Sequence, residues 1–155
     1  MIPVYAIATH AVSALGADTD RHWQSVVRMQ GGIRRYEDEA FSTIPFWGSM
    51  PGPAFWQIIQ AHTNIAQPLT AFERLAYYSA YQALQDTDID ISDPGTAFIL
   101  STTKGNIELL EEGREDHRIS LSYSAAAIAA ALGLKTTPLV VSHACVSGVI
   151  ALQYG

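Results

Sequence analysis

Residues 138–152 read PLVVSHACVSGVIAL, and this stretch decides how the rest of the chain is interpreted. The apolar run at 139–141 predicts a buried strand, and the apolar residues from Val149 onward predict a helix. Cys145, the only cysteine of the chain, lies between the two. The sequence therefore predicts a strand, a sharp turn that carries a thiol, and a helix.

The predicted place of Cys145 favours a nucleophilic role. A thiol at a helix N-terminus faces unpaired backbone N–H groups and the positive end of the helix dipole. Both favour the thiolate, which is the nucleophilic form. The nucleophile elbow of hydrolases is excluded, because His143 and Ser147 occupy the positions of its two glycines. The alternative is that Cys145 is a small buried apolar residue, as many lone cysteines are.

Length and composition indicate one globular domain. The chain has 155 residues, 48% hydrophobic and 15% charged, which is enough to bury a core. A net charge of -6 without a block of Lys or Arg argues against nucleic-acid binding. The start lacks the basic region of a signal peptide, no apolar run is long enough to span a membrane, and one cysteine forms no internal disulfide. We therefore expect a soluble, cytoplasmic protein that binds neither nucleic acid nor membrane.

Three apolar runs predict the strands of one sheet. They lie at 4–8, at 96–101 after the turn at 94–95, and at 139–141. Because helical patterns separate them, we predict an α/β fold with a largely parallel sheet flanked by helices. In such sheets ligands gather at the carboxyl ends of the strands, and Cys145 follows the carboxyl end of the third strand.

Capping signals place the clearest helices. Thr70 and Glu73 fit a capping box, and the helix that they open is predicted to run to about Gln85. Residues 122–132 are rich in alanine and predict a second helix, which ends at Gly133.

Two further helices are predicted from weaker signals. Asp18 or Thr19 caps a helix that the glycines at 31–32 end. An acidic helix is expected to run through Glu112. The residues before it, 102–106, read TTKGN, but they lack the glycines of a phosphate-binding loop, so we interpret them as a strand-to-helix turn.

Residues 41–67 combine prolines and glycines with five Phe and Trp side chains. The stretch is too apolar for a linker. Two interpretations compete: an irregular loop packed in the core, or a surface lobe that covers a partner or a pocket. We favour core packing, because aromatic clusters more often belong to cores than to sites.

The histidines other than His143 show no metal-ligand spacing. They are His10, His22, His62 and His117. We therefore expect no metal ion and no cofactor.

The segment around Cys145, VVSHACVSG at 140–148, resembles the active-site region of the β-ketoacyl synthases, the condensing enzymes of fatty-acid and polyketide synthesis. Three other segments resemble this family in the same order along the chain. They are 4–16, which ends in VSALG; 74–84, the helix before the second strand; and 132–138, the approach to the cysteine strand. The resemblance spans nearly the whole chain.

The resemblance implies a thiolase-like fold of two similar halves, each a five-stranded mixed sheet with helices. It also implies that Cys145 takes an acyl group from a pantetheine thioester, with its backbone N–H as one oxyanion donor. A malonyl unit on acyl carrier protein then loses carbon dioxide, and the resulting carbanion attacks the acyl-enzyme. The family's two further catalytic residues, two histidines or a histidine and an asparagine, lie in the second half.

The chain departs from the family in the region after Cys145. No histidine comes later than His143, and the glycine-rich loop that supplies the second oxyanion donor is absent. We therefore expect residues 1–155 to be an N-terminal ketosynthase-like domain, truncated at its C-terminal end and inactive in condensation by itself.

His143 is a second candidate site residue, at a position where the family usually has a small polar side chain. Residues two apart on a strand share a face, so the imidazole would approach and activate the thiol of Cys145. The alternative, which we favour, is a partly buried histidine whose nitrogens bond the neighbouring backbone.

The resemblance also implies the partners. These are acyl carrier protein or coenzyme A thioesters, and either the missing C-terminal half or a ketosynthase-like partner chain in a homo- or heterodimer. Two other functions stay open. One is a non-catalytic ketosynthase-like partner of the chain-length-factor type, against which the presence of Cys145 argues. The other is a thiolase-fold enzyme acting on coenzyme A thioesters, which would need a second cysteine late in the fold.

Overall fold

The computed structural model describes residues 3–63, 65–110 and 116–155. The chain divides into two compact units, Met1–Asn64 and Ile65–Gly155. The elements in chain order are α1 (Thr19–Val27), β1 (Arg34–Tyr36), β2 (Phe46–Gly48), α2 (Pro53–His62), α3 (Ala71–Gln85), β3 (Ile99–Ser101), α4 (Leu121–Leu132), β4 (Leu139–Val141) and α5 (Ser147–Tyr154).

The predicted α/β class is confirmed, but the strands do not form one largely parallel sheet. Within the described ranges they form two separate pairs, β1 with β2 and β3 with β4. The first pair is antiparallel and the second is parallel. Three-residue strands in isolated pairs bury little by themselves, so the helices must supply most of the packing.

The first unit carries the antiparallel pair and the helices α1 and α2. Tyr36 lies opposite Phe46 in the β1–β2 register, and their rings stack with centroids 5.4 Å apart. Helix α1 begins as predicted, because the carboxylate of Asp18 accepts a hydrogen bond from the N–H of Arg21 at 2.8 Å.

The predicted first strand at 4–8 is wrong. These residues form neither strand nor helix, and Val4, Tyr5 and Ile7 expose 82%, 75% and 65% of their surface. A strand needs a neighbour that pairs with its backbone groups, and no described strand pairs with this run. An apolar run is therefore not sufficient to predict a buried strand here.

The aromatic stretch 41–67 is more regular and more exposed than predicted. It contains β2 and helix α2, which has Pro53 in its first turn. Core packing is wrong for Phe41 and Trp47, which are 65% and 71% exposed. Three of the aromatic side chains are half-buried: Phe46 stacks on Tyr36, and Phe55 and Trp56 form an edge-to-face pair.

The second unit contains the parallel pair. Leu100 of β3 lies opposite Val140 of β4, and α4 lies in the connection between the two strands. Strand β4 has the predicted bounds. Strand β3 is shorter than predicted, because Thr96 still belongs to the preceding turn and donates its N–H to Asp93.

Helices α3 and α4 pack together and form the core of this unit with β3. The buried cluster comprises Leu69, Tyr77, Leu100, Ala125, Ala127, Ile128 and Leu132. The small side chains of α4 allow its backbone to approach its neighbours closely, which is why an alanine-rich helix with little amphipathic character is buried here.

The capping predictions in this unit are confirmed. The Thr70 hydroxyl accepts from the Glu73 N–H at 3.2 Å, and the Glu73 carboxylate accepts from the Thr70 N–H at 3.0 Å. Gly133 ends α4 in a left-handed conformation with φ of 91°. The acidic helix begins only as a 3-10 turn at Ile107–Leu110, and its predicted continuation through Glu112 lies outside the described residues.

No helix in the described parts of the chain combines the length and apolar character that a membrane crossing requires.

Candidate active site

Cys145 lies where the sequence predicts, between a parallel strand and a helix. Strand β4 ends at Val141, a 3-10 turn spans Ala144–Val146, and α5 begins at Ser147. The thiol is free and exposed to solvent. The interpretation of Cys145 as a buried apolar residue is therefore wrong, and the sulfur is accessible to a reagent or substrate.

The turn around Cys145 is held by the side chain of Ser147. Its hydroxyl oxygen accepts a hydrogen bond from the His143 N–H at 2.8 Å, and the hydroxyl donates to the Ala144 carbonyl at 3.0 Å. Ser147 is buried, with 6% of its surface exposed. One hydroxyl thus ties the start of α5 to both residues that precede the cysteine.

Ala144, directly before Cys145, has a left-handed backbone with φ of 43°. Residues other than glycine, asparagine and aspartate seldom adopt this conformation, because the Cβ crowds the carbonyl oxygen. A third bond closes the turn, since the Val146 N–H donates to the His143 carbonyl at 3.1 Å. The chain thus reverses sharply at Ala144, between the end of β4 and the thiol.

The loop after β3 begins at the same edge of the parallel pair. The Thr102 N–H donates to the Val141 carbonyl at 3.2 Å, which continues the ladder one bond beyond β3. The Thr102 hydroxyl accepts from the N–H groups of Lys104 and Gly105 at 3.3 and 3.1 Å. These bonds confirm a structured turn at 102–106.

Asn106 anchors that loop inside the second unit. Its fully buried amide donates to the Glu73 carboxylate and the Arg118 carbonyl, each at 2.8 Å. Its side-chain oxygen accepts from the Thr70 hydroxyl at 2.5 Å. The buried carboxyl group of Glu73 is therefore bonded both within its capping box and across to the loop after β3, as a buried polar group requires.

His143 is exposed, so the interpretation of it as a partly buried histidine is wrong. Strand geometry ends at Val141, so the rule that residues two apart share a face does not reach from His143 to Cys145. The hydrogen bonds found for His143 in the described part of the chain use its backbone. The contribution of His143 to the turn is made by its backbone N–H and carbonyl.

The remaining histidines are dispersed. The His22 ring bonds the Ser13 hydroxyl at 2.8 Å, and the His62 ring bonds the Ile58 carbonyl at 2.9 Å. Partial burial lowers the pKa of His10, against a smaller opposing effect of Asp18. In the part of the chain that the structure describes, no three His, Cys, Asp or Glu side chains are grouped so that they could hold a metal ion.

The first unit contains a pocket of about 320 Å³, lined in part by Leu15, Gln30, Gly32, Arg34 and Met50. Its charged lining residue is already engaged, because Arg34 Nε donates to the Tyr36 hydroxyl at 2.7 Å, which lowers the pKa of that phenol. None of the predicted site residues lines this pocket.

The geometry thus brings an exposed thiol to the carboxyl end of a parallel strand, in a turn that Ser147 holds. Sequence reasoning found Cys145 but missed the anchoring roles of Ser147 and Asn106. For Ser147 the available signal was a hydroxyl residue in the first turn of a predicted helix, where it can bond nearby backbone. For Asn106 no local signal exists, since its partners lie 12 to 36 positions away in the chain.

No protein-family model matches this chain, and no curated protein matches it either.

Proposed function

We propose that the chain is the N-terminal, cysteine-bearing part of a β-ketoacyl-acyl-carrier-protein synthase with a thiolase-like fold. The observation that carries the proposal is the exposed Cys145 in the turn between β4 and α5, at the carboxyl end of a parallel strand. Nucleophiles of α/β proteins belong at such ends, where the sheet fixes the turn and the side chain meets the ligand. The resemblance of the segment 140–148 to the synthase active site supports the same function.

The proposed first step is acyl transfer to the sulfur. The Cys145 thiolate attacks the carbonyl carbon of an acyl-pantetheine thioester, the new carbon–sulfur bond forms, and pantetheine leaves as a thiolate that takes up a proton. An N–H group at this turn would stabilise the oxyanion of the tetrahedral intermediate. The acyl group then resides on Cys145.

The second step needs residues beyond those in this chain. A malonyl thioester loses carbon dioxide, the electron pair stays on its α-carbon, and that carbon attacks the acyl group while the sulfur of Cys145 leaves. By resemblance, the two residues that assist decarboxylation belong to a second half, from the same or a partner chain. A homo- or heterodimeric assembly and a cytoplasmic location are parts of the proposal.

Acyl transfer to the 155-residue chain tests the proposal directly. The chain is incubated with hexanoyl-coenzyme A or with hexanoyl-acyl carrier protein, and its intact mass and peptides are measured by mass spectrometry. We expect one hexanoyl group per chain, located on Cys145. The matched control is Cys145→Ala, which keeps the fold and removes the sulfur.

Two outcomes contradict the proposal: an adduct that persists in Cys145→Ala, or no adduct on Cys145 with either donor. The choice between donors also matters for the alternatives. Transfer from coenzyme A alone would favour a thiolase-like enzyme over a carrier-protein synthase. Absence of transfer with both donors would favour the non-catalytic partner.

A further inference from the structure

The hydroxyl of Ser147 makes contacts that a helix cap alone does not require. A helix cap accepts from an N–H group later in the chain, inside the helix. Ser147 instead bonds backward, accepting from His143 and donating to Ala144. Both partners lie on the strand side of Cys145, so the bonds span the cysteine.

Burial makes these bonds hard to replace. Ser147 is 6% exposed, whereas the residues from Ser142 to Val146 are all exposed. Water can satisfy the exposed backbone of the turn in any conformation, but it cannot easily take the place of the buried hydroxyl. The hydroxyl therefore selects one conformation from those that the exposed turn could adopt.

The conformation that it selects is a strained one. Ala144 has φ of 43°, and its carbonyl is the acceptor of the Ser147 hydroxyl. Without the Ser147 hydroxyl, the bond from the Val146 N–H to the His143 carbonyl still spans the turn, but the Ala144 carbonyl loses its partner and the peptide between Ala144 and Cys145 can rotate toward a region that alanine prefers. Such a rotation would move the Cα–Cβ bond of Cys145, and with it the sulfur.

We propose that Ser147 is a positioning residue for the Cys145 thiol: by bridging His143 and Ala144 it holds the turn in the left-handed form that presents the sulfur at the end of β4. The inference rests on the proposed function, because that function gives a reason to fix the thiol: a thiol held in one orientation is better placed to attack a bound thioester. This role requires no contact between Ser147 and the substrate.

Alkylation by iodoacetamide measures the proposed effect without an acyl donor. In this reaction the thiolate sulfur forms a bond to carbon, iodide leaves, and the thiol proton passes to the buffer. Rate constants are compared for the wild-type chain, Ser147→Ala and Ser147→Thr, each shown to be folded by circular dichroism. We expect Ser147→Ala to slow alkylation of the folded chain roughly three- to tenfold, and Ser147→Thr to restore most of the rate, because it keeps the hydroxyl.

A second pair of variants, Ala144→Gly alone and Ala144→Gly combined with Ser147→Ala, tests the backbone strain at Ala144. In Ala144→Gly the left-handed conformation is accessible without a Cβ clash. We expect the rate loss caused by Ser147→Ala to be smaller in the Ala144→Gly background than in the wild type. This pair also provides a folded comparison if Ser147→Ala alone does not fold.

The inference is overturned if folded Ser147→Ala reacts with iodoacetamide at the wild-type rate and only loses stability. It is also overturned if Ser147→Thr reacts as slowly as Ser147→Ala. A third contradicting result is that Ser147→Ala and Ala144→Gly have independent effects on the rate. Failure of the inference is distinguishable from failure of the proposed function. If wild-type Cys145 accepts no acyl group but its alkylation rate depends on Ser147, the proposed synthase function is wrong and the positioning role of Ser147 stands. If Cys145 accepts the acyl group but its alkylation rate does not depend on Ser147, the proposed function stands and the positioning role is wrong.

Discussion

The loops that follow β3 and β4 begin side by side at one edge of the parallel pair, yet they are built differently. Each passes through a left-handed residue, Gly105 with φ of 53° after β3 and Ala144 with φ of 43° after β4. Glycine adopts this conformation without strain, whereas for alanine the conformation costs about 1 to 2 kcal/mol of conformational energy. The loop after β4 therefore carries strain that the loop after β3 avoids.

The side-chain hydrogen bonds that hold the two loops also differ. Asn106 ties the first loop to three groups inside the unit, among them the buried carboxylate of Glu73. Ser147 ties the second loop to its own backbone, at His143 and Ala144. The first loop therefore stabilises the unit, whereas the second holds a strained local conformation next to Cys145 at a cost in stability.

The largest effect is expected from Asn106→Ala. This substitution leaves the Glu73 carboxylate, the Thr70 hydroxyl and the Arg118 carbonyl short of a buried partner, so the free energy of unfolding should fall by about 3 kcal/mol. Urea unfolding followed by circular dichroism measures it. The control Gln85→Ala removes an exposed amide at the end of α3 and should change stability by less than about 0.5 kcal/mol. Equal effects would show that the first loop is not an anchor.

Gly105→Ala tests the unstrained turn and should have the next largest effect. An added Cβ would lie 2.6 Å from Leu121 Cδ2, at a backbone angle that alanine tolerates poorly. The end of the half-buried Leu121 side chain can move aside, so the backbone angle accounts for most of an expected loss of about 1 to 2 kcal/mol in the free energy of unfolding. Gly148→Ala is the matched control, because nothing lies within 4 Å of its added Cβ and helix α5 favours alanine. A loss as large in the control would refute the steric explanation.

Ala144→Gly tests the strained turn, and its effect should be smaller and opposite in sign. Relief of the left-handed alanine, less the greater flexibility of glycine in the unfolded chain, should raise stability by about 0.5 to 1 kcal/mol. Ala126→Gly, at an exposed position inside α4, should lower it by about 1 kcal/mol. If both substitutions destabilise alike, Ala144 carries no strain.

The smallest expected effect is a pH dependence of the free energy of unfolding, caused by Asp116 near the hydrogen bonds of Asn106. Asp116 pairs with Arg118, whose carbonyl accepts from Asn106, and the hydrogen bond from Arg118 lowers the pKa of Asp116 from 3.8 to about 2. A lowered pKa contributes stability above pH 3.8, and that contribution disappears as the pH falls toward about 2. Unfolding between these two values should therefore depend less steeply on pH in Asp116→Asn. Identical profiles would show that the pair does not stabilise the fold.

Local signals in the sequence predicted the second unit better than the first. The capping box at Thr70, the stop at Gly133 and the strand at 139–141 each depend on neighbouring residues, and each was found. The run at 4–8 looked equally strand-like, but a strand also requires a pairing partner, which local sequence does not reveal.

At the candidate site, sequence predicted where the cysteine lies but not what holds it. The strand-to-helix position of Cys145 is indicated by two apolar patterns on either side of it. The bridge made by Ser147 depends on a turn in which Ala144 adopts an uncommon conformation, and alanine gives no sign of that. The exposure of His143 was missed for a related reason, since β4 ended two residues before it.

The most direct test compares acyl transfer to Cys145 in the native and the urea-unfolded chain, with hexanoyl-coenzyme A as the donor and free N-acetylcysteine, measured in each of the two solvents, as the reference for intrinsic thiol reactivity. If the turn between β4 and α5 prepares the sulfur for a thioester, the native chain should accept the acyl group roughly tenfold faster than the unfolded chain after correction by the reference rates, and its rate should saturate with donor. Equal rates in the two states, or a native rate that rises without saturation, would contradict it.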